Sequence, residues 1–592
     1  MSLTAADVNT PFYYLTNFHT ALNWVLSHSA DLLNTCEQEA VGRFQQLPQP
    51  AQALLLRMVM RKGDWFRHSA LQYEEIPART DALTALENAG FCVANAAVSS
   101  ADLGPLLRKD ELLAVLERER QKQPDLIDDK SLKKLRKDEL QQTFEQALHE
   151  VQPQPLSAWL QQDDALVQLT CMPLFDTVRV LFFGNVWQDW SEFVLTELGH
   201  QRYENVPLSV QSRAFRDRDE LTYLLFLSDC QQQLHDAVQQ LKDKRLSAEA
   251  VSAVLHGITR QLLQHSPVLQ SMPHRLADTH WLTLRWHKVL AQVGREAERL
   301  HDTELALTCY DASAHRDAMV RRLRVLELAA VSVDDFRAVA SGCTEALARI
   351  EHPEARITLE RIYARCARKA GLAKPAPTQK AIKDFPSLYL TLSDNGDAVE
   401  YQVRDALNAN QNGRCYYVEN TLLSGLFALL FWDALYAPLP GAFFHPFQSG
   451  PADLFRDDFV RARQPLFDAG FARLQGGEHV ALIRQRWHEK QGISCPLLHW
   501  PSLDEELLEH ALRVIAPATL SQLFRHLLSD LRHHSRGLPD LIWLGNNEAD
   551  GFRLIEVKGP GDRLQDHQRL WLEVFLRSGI EAQVAYVSYA QP

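Results

Sequence analysis

Apolar positions recur along this chain with two different periods, and the change of period divides it. From Leu54 to Phe91 they fall at helical spacing, interrupted at Gly63 and Gly90. That is the rhythm of a winged-helix unit: helix, turn, short strand, helix. Residues 1–100 are therefore expected to be a helical, winged-helix-like region. Within 101–150 the string Leu-Arg-Lys-Asp-Glu-Leu occurs twice, at 107–112 and 135–140, which predicts two similar amphipathic helices. Residues 151–375 read as mainly helical. There Trp286, Leu290, Val293, Ala297 and Leu300 form one stripe, and Leu305, Ala306, Cys309 and Tyr310 form another. A turn at His301-Asp302 makes them an antiparallel pair, in the manner of a tetratricopeptide-like stack. Pro375-Ala376-Pro377 marks a linker, and 376–592 is expected to be a separate α/β domain that opens with an apolar helix over Leu422 to Trp432.

Near the C-terminus the period drops to two. Leu541-Ile542-Trp543-Leu544 reads as a strand, Gly545 to Gly551 as a turn, and Phe552 to Lys558 as a second strand, so a hairpin is expected. Gly559-Pro560-Gly561 ends that strand. Asp562 suits the N-cap of a helix starting at Arg563, whose apolar face carries Leu564, Trp571, Leu572 and Phe575. Ala582 to Val587 reads as a further strand. The order strand, strand, helix, strand suits a mixed α/β fold.

The hairpin carries the chemistry. Alternation puts Glu556 and Lys558 on one face and Val557 on the other, and strand pairing brings Asp540 beside Glu556. Two adjacent carboxylates repel unless a cation stands between them. Oxygen donors of this kind suit Mg²⁺ or Mn²⁺, and the Val557 carbonyl offers one more oxygen. A cation held there would polarise a phosphate and activate water, with Lys558 orienting or deprotonating that water, or stabilising the developing charge. The catalytic candidates are thus Asp540, Glu556 and Lys558.

Composition limits the alternatives. With 592 residues, 46% of them hydrophobic, the chain can build several cores. The apolar run 422–432 is far shorter than the roughly 20 residues that span a bilayer, and no signal peptide is evident, so a cytoplasmic location is expected. The nine cysteines make no C-x₂₋₄-C pair, which argues against a zinc site. No G-x-x-x-x-G-K-[ST] string is present, so no ATP-driven motor is expected. His526, His533 and His534 lack Cys or carboxylate partners at metal spacing. The net charge of −13 is unusual for a nucleic-acid binder and requires local basic surface. Candidates are Arg57, Arg61, Lys62 and Arg67; Arg108 and Lys109; Lys130 to Lys137; Arg316, Arg321, Arg322 and Arg324; and Arg525, Arg532 and Arg536.

The string Gly537-Leu538-Pro539-Asp540, then Glu556-Val557-Lys558-Gly559-Pro560, then Asp562-Arg563-Leu564 and Gln568-x-x-Trp571, resembles the VRR-NUC module of the PD-(D/E)XK nucleases. Upstream blocks extend the likeness: Tyr73-Glu74-Glu75-Ile76, Asn88-Ala89-Gly90-Phe91, Gly425-Leu426-Phe427 and Leu430-Phe431-Trp432-Asp433. In this order they resemble the Fanconi-associated nuclease family, in a compact bacterial-type member without the zinc finger of eukaryotic ones. The resemblance implies a structure-selective, metal-dependent DNA nuclease of interstrand crosslink repair, with 5′-flap endonuclease and 5′-to-3′ exonuclease activities and a nucleoid-associated site of action. It implies a SAP-type motif in 101–150 and DNA binding by 1–100. It implies a metal set of Glu419, Asp540, Glu556 and the Val557 carbonyl, with Glu419 on a helix ahead of the core. It implies that Arg532 meets the flap's 5′ phosphate, that His567 replaces a family lysine, that Gln568 lies toward the active-site mouth, and that Arg322 and Arg324 meet a duplex arm. A homodimer on DNA is one assembly it allows. A Holliday-junction or restriction-type nuclease on the same core, or a non-catalytic scaffold for branched DNA, are the alternatives.

Overall fold

The computed structural model describes residues 12–590 apart from 62, 123–131, 163, 189–201, 273–279, 351–352, 373–381, 383, 394 and 411–412. The expected linker at 375–377 lies outside the described residues, as do Lys62 and Lys130. The chain divides into two compact units. One takes in Met1–His200, Phe215–Met272 and Trp281–Ser313; the other takes in Gln201–Ala214, Pro273–His280 and Ala314–Pro592. The division therefore falls inside the helical region read as 151–375.

In the first unit, helices Tyr13–Ser29, Thr35–Gln46, Gln49–Val59 and Arg79–Asn88 bury Leu15, Phe18, Phe44, Leu54 and Leu86. Strands β1 (Trp65–Arg67), β2 (Cys92–Ala94) and β3 (Leu166–Leu169) form an antiparallel sheet in the order β1-β3-β2. Its central strand thus comes from well beyond residue 100, and the segment 101–150 is inserted between an edge strand and the central strand of one sheet. The repeated hexapeptide explains itself there. Each copy opens a helix, Lys109–Lys122 or Lys137–Ala147. In each, the glutamate reaches back to the arginine's backbone N–H: Arg108 N to Glu111 Oε2 and Arg136 N to Glu139 Oε2, both at 2.7 Å. That satisfies a donor which a helix start leaves without a partner. Leu107, Leu112, Leu140, Phe144 and Trp159 close a shared core. Two of the basic candidates serve this packing: Arg67 forks onto Glu111 with two contacts of 2.8 Å, and Arg57 pairs with Glu75. Further on, helices Trp281–Arg299 and Thr303–Ala312 form the expected antiparallel pair, with Asp302 capping the second. Gly294 allows the close crossing, since a Cβ there would stand 2.7 Å from the Tyr310 ring.

The second unit begins with helices Arg316–Ala329, Val333–Leu347 and Pro353–Lys369 around Leu323, Cys343 and Cys366. A five-stranded mixed sheet follows, in the order β4 (Ser387–Leu392), β8 (Glu581–Tyr589), β7 (Phe552–Lys558), β6 (Leu541–Leu544), β5 (Arg414–Tyr417). The pairs β4–β8 and β8–β7 are parallel; β7–β6 and β6–β5 are antiparallel. Alternation gives the sheet two apolar faces. Leu541, Ile555, Val557, Ala585 and Val587 meet Val403 and Leu407 of helix Val399–Asn410. Ile542, Leu554, Ala582 and Val584 meet Trp571, Leu572 and Phe575 of helix Asp566–Arg577.

The apolar run 422–432 is two helices, Leu422–Leu430 and Trp432–Leu435, and it is apolar all round because it is buried all round. The sequence reading missed the segment 202–214, which joins this core through Val206; Glu204 there accepts from Lys490 Nζ and from Trp432 Nε1, each at 2.9 Å. The helix expected from Arg563 starts at Asp566, and Asp562 instead takes the Gly559 N–H at 3.0 Å within the preceding turn. Among the described residues, no helix is long and apolar enough to cross a membrane.

Candidate active site

Register alone assembles the centre. Leu541 pairs with Ile555 across the β6–β7 ladder, so the next position brings Asp540 opposite Glu556 on one sheet face. Both are buried, at 8% and 1% exposure, and Lys558, on the same face, is 7% exposed. Lys558 Nζ donates to Glu556 Oε1 at 2.6 Å, and the Val557 backbone N–H donates to Asp540 Oδ2 at 2.7 Å. No other hydrogen bond reaches either carboxylate group among the described residues.

Despite these contacts, the two acids are hard to ionise. Burial pushes Asp540 up to about 6; the Val557 N–H and Lys558 oppose this, and Glu419 and Glu400 add to it. Burial and the neighbouring Asp540 push Glu556 up to about 7, against the pull of Lys558. Negative charge is concentrated where a cation would relieve it.

Glu419 lies beside this pair, but not on a helix. It is exposed in the turn between β5 and helix Leu422–Leu430. The Val418 N–H donates to the Asp540 carbonyl at 2.8 Å, which carries the β5–β6 ladder one step further and brings Glu419 to the site. Asn420, at φ 54°, turns the chain, and its Oδ1 accepts the Leu538 N–H at 3.0 Å. The Tyr417 hydroxyl holds Glu419 Oε2 at 2.6 Å. Among the described residues, no three His, Cys, Asp or Glu side chains stand close enough together to hold a cation as they are placed. The donors themselves fit one: carboxylates and a carbonyl only, two of the carboxylates adjacent and disfavoured as anions, and a third on an exposed side chain held by the Tyr417 hydroxyl and, at 3.4 Å, the Asn420 amide.

Glu400 was missed in the sequence. It is the second residue of helix Val399–Asn410, between Val399, which touches the position a Cβ on Gly559 would take, and Tyr401, whose ring packs on Tyr417 at 5.1 Å. An isolated glutamate at a helix start gives no signal beyond its favourable place on the helix dipole.

The remaining candidates divide. Trp571 Nε1 donates to the carbonyls of His534 and Arg536 at 3.2 and 3.1 Å, fixing the short helix Leu531–His534 that leads into Gly537–Asp540. The His526 and His534 rings stack at 4.0 Å beside Trp571, and His533 pairs with Asp530 at 2.7 Å, so these histidines support that turn. Arg532, on the turn, is exposed and lies 5.4 Å from the centre of the Phe455 ring. His567 packs on Gly537, where a Cβ would stand 2.4 Å from its Cδ2; with φ at 77°, the position demands glycine twice over. Gln568 Oε1 accepts the Gln565 N–H at 3.0 Å, so its side chain caps its own helix instead of extending to the site mouth. Arg322 and Arg324 lie on helix Arg316–Ala329; Arg316 of that helix pairs with Asp457 at 3.5 Å, two residues from Phe455.

Residues 12–93 match the FAN1 HTH domain, and residues 475–589 match the VRR-NUC domain. A Fanconi-associated nuclease 1 homolog of Pseudomonas aeruginosa is 37% identical over 98% of this chain and 96% of its own length. Fanconi-associated nuclease 1 of Homo sapiens is 24% identical over 97% of this chain and 62% of its own. The crystal structure of paFAN1 bound to 2nt 5′ flap DNA with gap superposes with a TM-score of 0.76 at 36% identity, over 99% of this chain and all of that one.

Proposed function

Because the chain belongs to the Fanconi-associated nuclease family and is thus a structure-selective, divalent-metal-dependent DNA nuclease of DNA repair, we propose that its substrate is duplex DNA with a 5′ flap. It cuts near the junction, and it also degrades from a 5′ end. The physiological role we infer is interstrand crosslink repair at the nucleoid. The observation that carries the reading is Asp540 facing Glu556, with Lys558 on the same face.

Asp540, Glu556, Glu419 and the Val557 carbonyl would hold Mg²⁺ or Mn²⁺. Such a cation supplies Lewis acidity to the phosphate and lowers the pKa of a bound water. Lys558 donates from Nζ toward the reacting phosphate, adding positive charge where negative charge grows. Burial of the pair excludes bulk water, which strengthens each of these terms. Arg532 and His567 flank the loop into Gly537–Asp540, and an arginine fork suits a terminal phosphate. Arg322 and Arg324 are assigned to the duplex arm. Recognition of shape and an end, rather than of bases, needs only such backbone contacts.

End-labelled 5′-flap, 3′-flap and four-way-junction DNA, each with Mg²⁺ or Mn²⁺, test this. We expect cuts near the 5′-flap junction, lost in Asp540→Ala. Equal cutting of all three, or cutting by Asp540→Ala, would refute it. Light scattering of the flap complex reads whether one copy or two assemble.

A further inference from the structure

The sheet face that bears Asp540, Glu556 and Lys558 continues past the lysine onto two tyrosines. In the β7–β8 ladder Lys558 is paired with Tyr586, and in the β8–β4 ladder Tyr586 is paired with Tyr389. Ladder partners point to the same face, so the three side chains form one row across three strands. The row spans two strand spacings, or about 10 Å. The tyrosine rings stack, with centroids 5.6 Å apart and planes at 21°.

Core packing accounts for Tyr586, which lies against the Trp571 cluster, but not for Tyr389. Tyr586 is half-buried, but Tyr389 is 76% exposed on the edge strand. Neither hydroxyl makes a hydrogen bond among the described residues. Toward the C-terminal end of these strands the same face carries small polar groups, with the Thr391 and Ser588 hydroxyls 3.2 Å apart. Cationic groups stand at both ends: Lys558, paired with Glu556 at 2.6 Å, ends the row on one side, and exposed Arg569 lies 5.9 Å from the centre of the Phe385 ring, just ahead of β4.

An exposed, flat aromatic pair beside cationic groups has the composition of a surface that holds single-stranded nucleic acid, because every base has a π-face and the backbone is anionic. We propose that Tyr389 and Tyr586 form a stacking platform for an unpaired base of the strand whose phosphate lies at Lys558. The proposal rests on the flap-nuclease reading. It extends that reading by giving the nuclease domain its own grip on unpaired DNA, independent of sequence.

The test uses the full chain and a 5′-flap duplex with 2-aminopurine at successive unpaired positions next to the junction, in metal-free buffer. Tyr389→Thr keeps a strand-favouring residue and removes the ring, whereas Tyr389→Phe keeps the ring. We expect the parent and Tyr389→Phe to quench one of the 2-aminopurine positions. Tyr389→Thr should lose that quenching and bind the flap roughly 5- to 100-fold more weakly, with blunt-duplex binding unchanged. Unchanged flap affinity and quenching in Tyr389→Thr would overturn the platform. So would a change in solution mass without a change in DNA binding, which would make this edge a contact between copies of the chain. Cleavage by the parent, run in parallel with Mg²⁺, separates the two ideas: a parent that cuts flaps beside an unaffected Tyr389→Thr sinks the platform alone.

Discussion

The backbone N–H of Val557 donates to Oδ2 of Asp540 at 2.7 Å, so the residue between Glu556 and Lys558 is what holds the third charged group of the motif in place. The contact is made by main chain, and any substitution at Asp540 that keeps an acceptor preserves it.

Asp540→Asn is therefore expected to fold and to be more stable than the parent in metal-free buffer at high pH. Burial raises the Asp540 carboxyl to about 6. Between the unfolded value and the folded one, the native state binds the extra proton, so unfolding free energy falls as pH rises through that window. Removing the carboxyl should give a gain on the order of 1–3 kcal/mol at pH 8 that shrinks toward pH 4. Added Mg²⁺ should stabilise the parent and leave the variant unmoved. Denaturant unfolding at the two pH values, with and without Mg²⁺, checks both signs.

Tyr417→Phe should leave folding intact and loosen Glu419 by removing the shorter of its two tethers, the Tyr417 hydroxyl at 2.6 Å, while the Asn420 amide at 3.4 Å remains. Glu419 is exposed, so water replaces most of the lost bond and the effect is modest. Mn²⁺ titration of flap cleavage is expected to show a roughly 2- to 10-fold higher half-saturating concentration, with DNA affinity in metal-free buffer unaltered. An unchanged metal dependence would exclude Glu419 from the metal set.

In Trp571→Phe the packing persists, but the carbonyls of His534 and Arg536 lose their shared donor. We expect a loss of about 1–3 kcal/mol in stability and a larger fall in flap cleavage than in blunt-duplex binding. Equal falls would mean that the turn carrying Arg532 does not serve the flap.

Acid should weaken the same turn. Burial, with His534 beside it, holds His526 down at about 4. The unfolded chain takes up a proton first as pH drops from about 6.5, so stability is lost between that value and about 4. His526→Phe keeps the stacked ring without the proton site, and its melting temperature should fall less than the parent's between pH 7.5 and pH 5.0.

The hairpin, the facing of Asp540 and Glu556, and the helix pair around His301-Asp302 were legible in the sequence because each follows from short-range periodicity and register. Glu419 was found through likeness to a family, and its tethers and its turn at Asn420 have no sequence signal. Glu400 went unread for a related reason: its approach to Asp540 depends on how one helix crosses the sheet. The repeated Leu-Arg-Lys-Asp-Glu-Leu string predicted two similar amphipathic helices, and each copy opens one, since glutamate at that offset caps the arginine N–H. Arg57 and Arg67 looked like basic surface, and their carboxylate partners, Glu75 and Glu111, come from distant segments. The late helix start at Asp566 and the place of residues 202–214 in the nuclease core likewise depend on contacts that no local pattern encodes.

The strand order β1-β3-β2 constrains the birth of the molecule. On the ribosome, β1 and β2 emerge early, but the strand that joins them ends at Leu169. Until that stretch leaves the exit tunnel, the two outer strands have unpaired backbone edges and no sheet to belong to. The helices Lys109–Lys122 and Lys137–Ala147 are made during that wait, so they can nucleate ahead of the domain that encloses them in sequence. A fragment cut at residue 100 would never receive its middle strand, and it should be a poor substitute for the region it was meant to isolate.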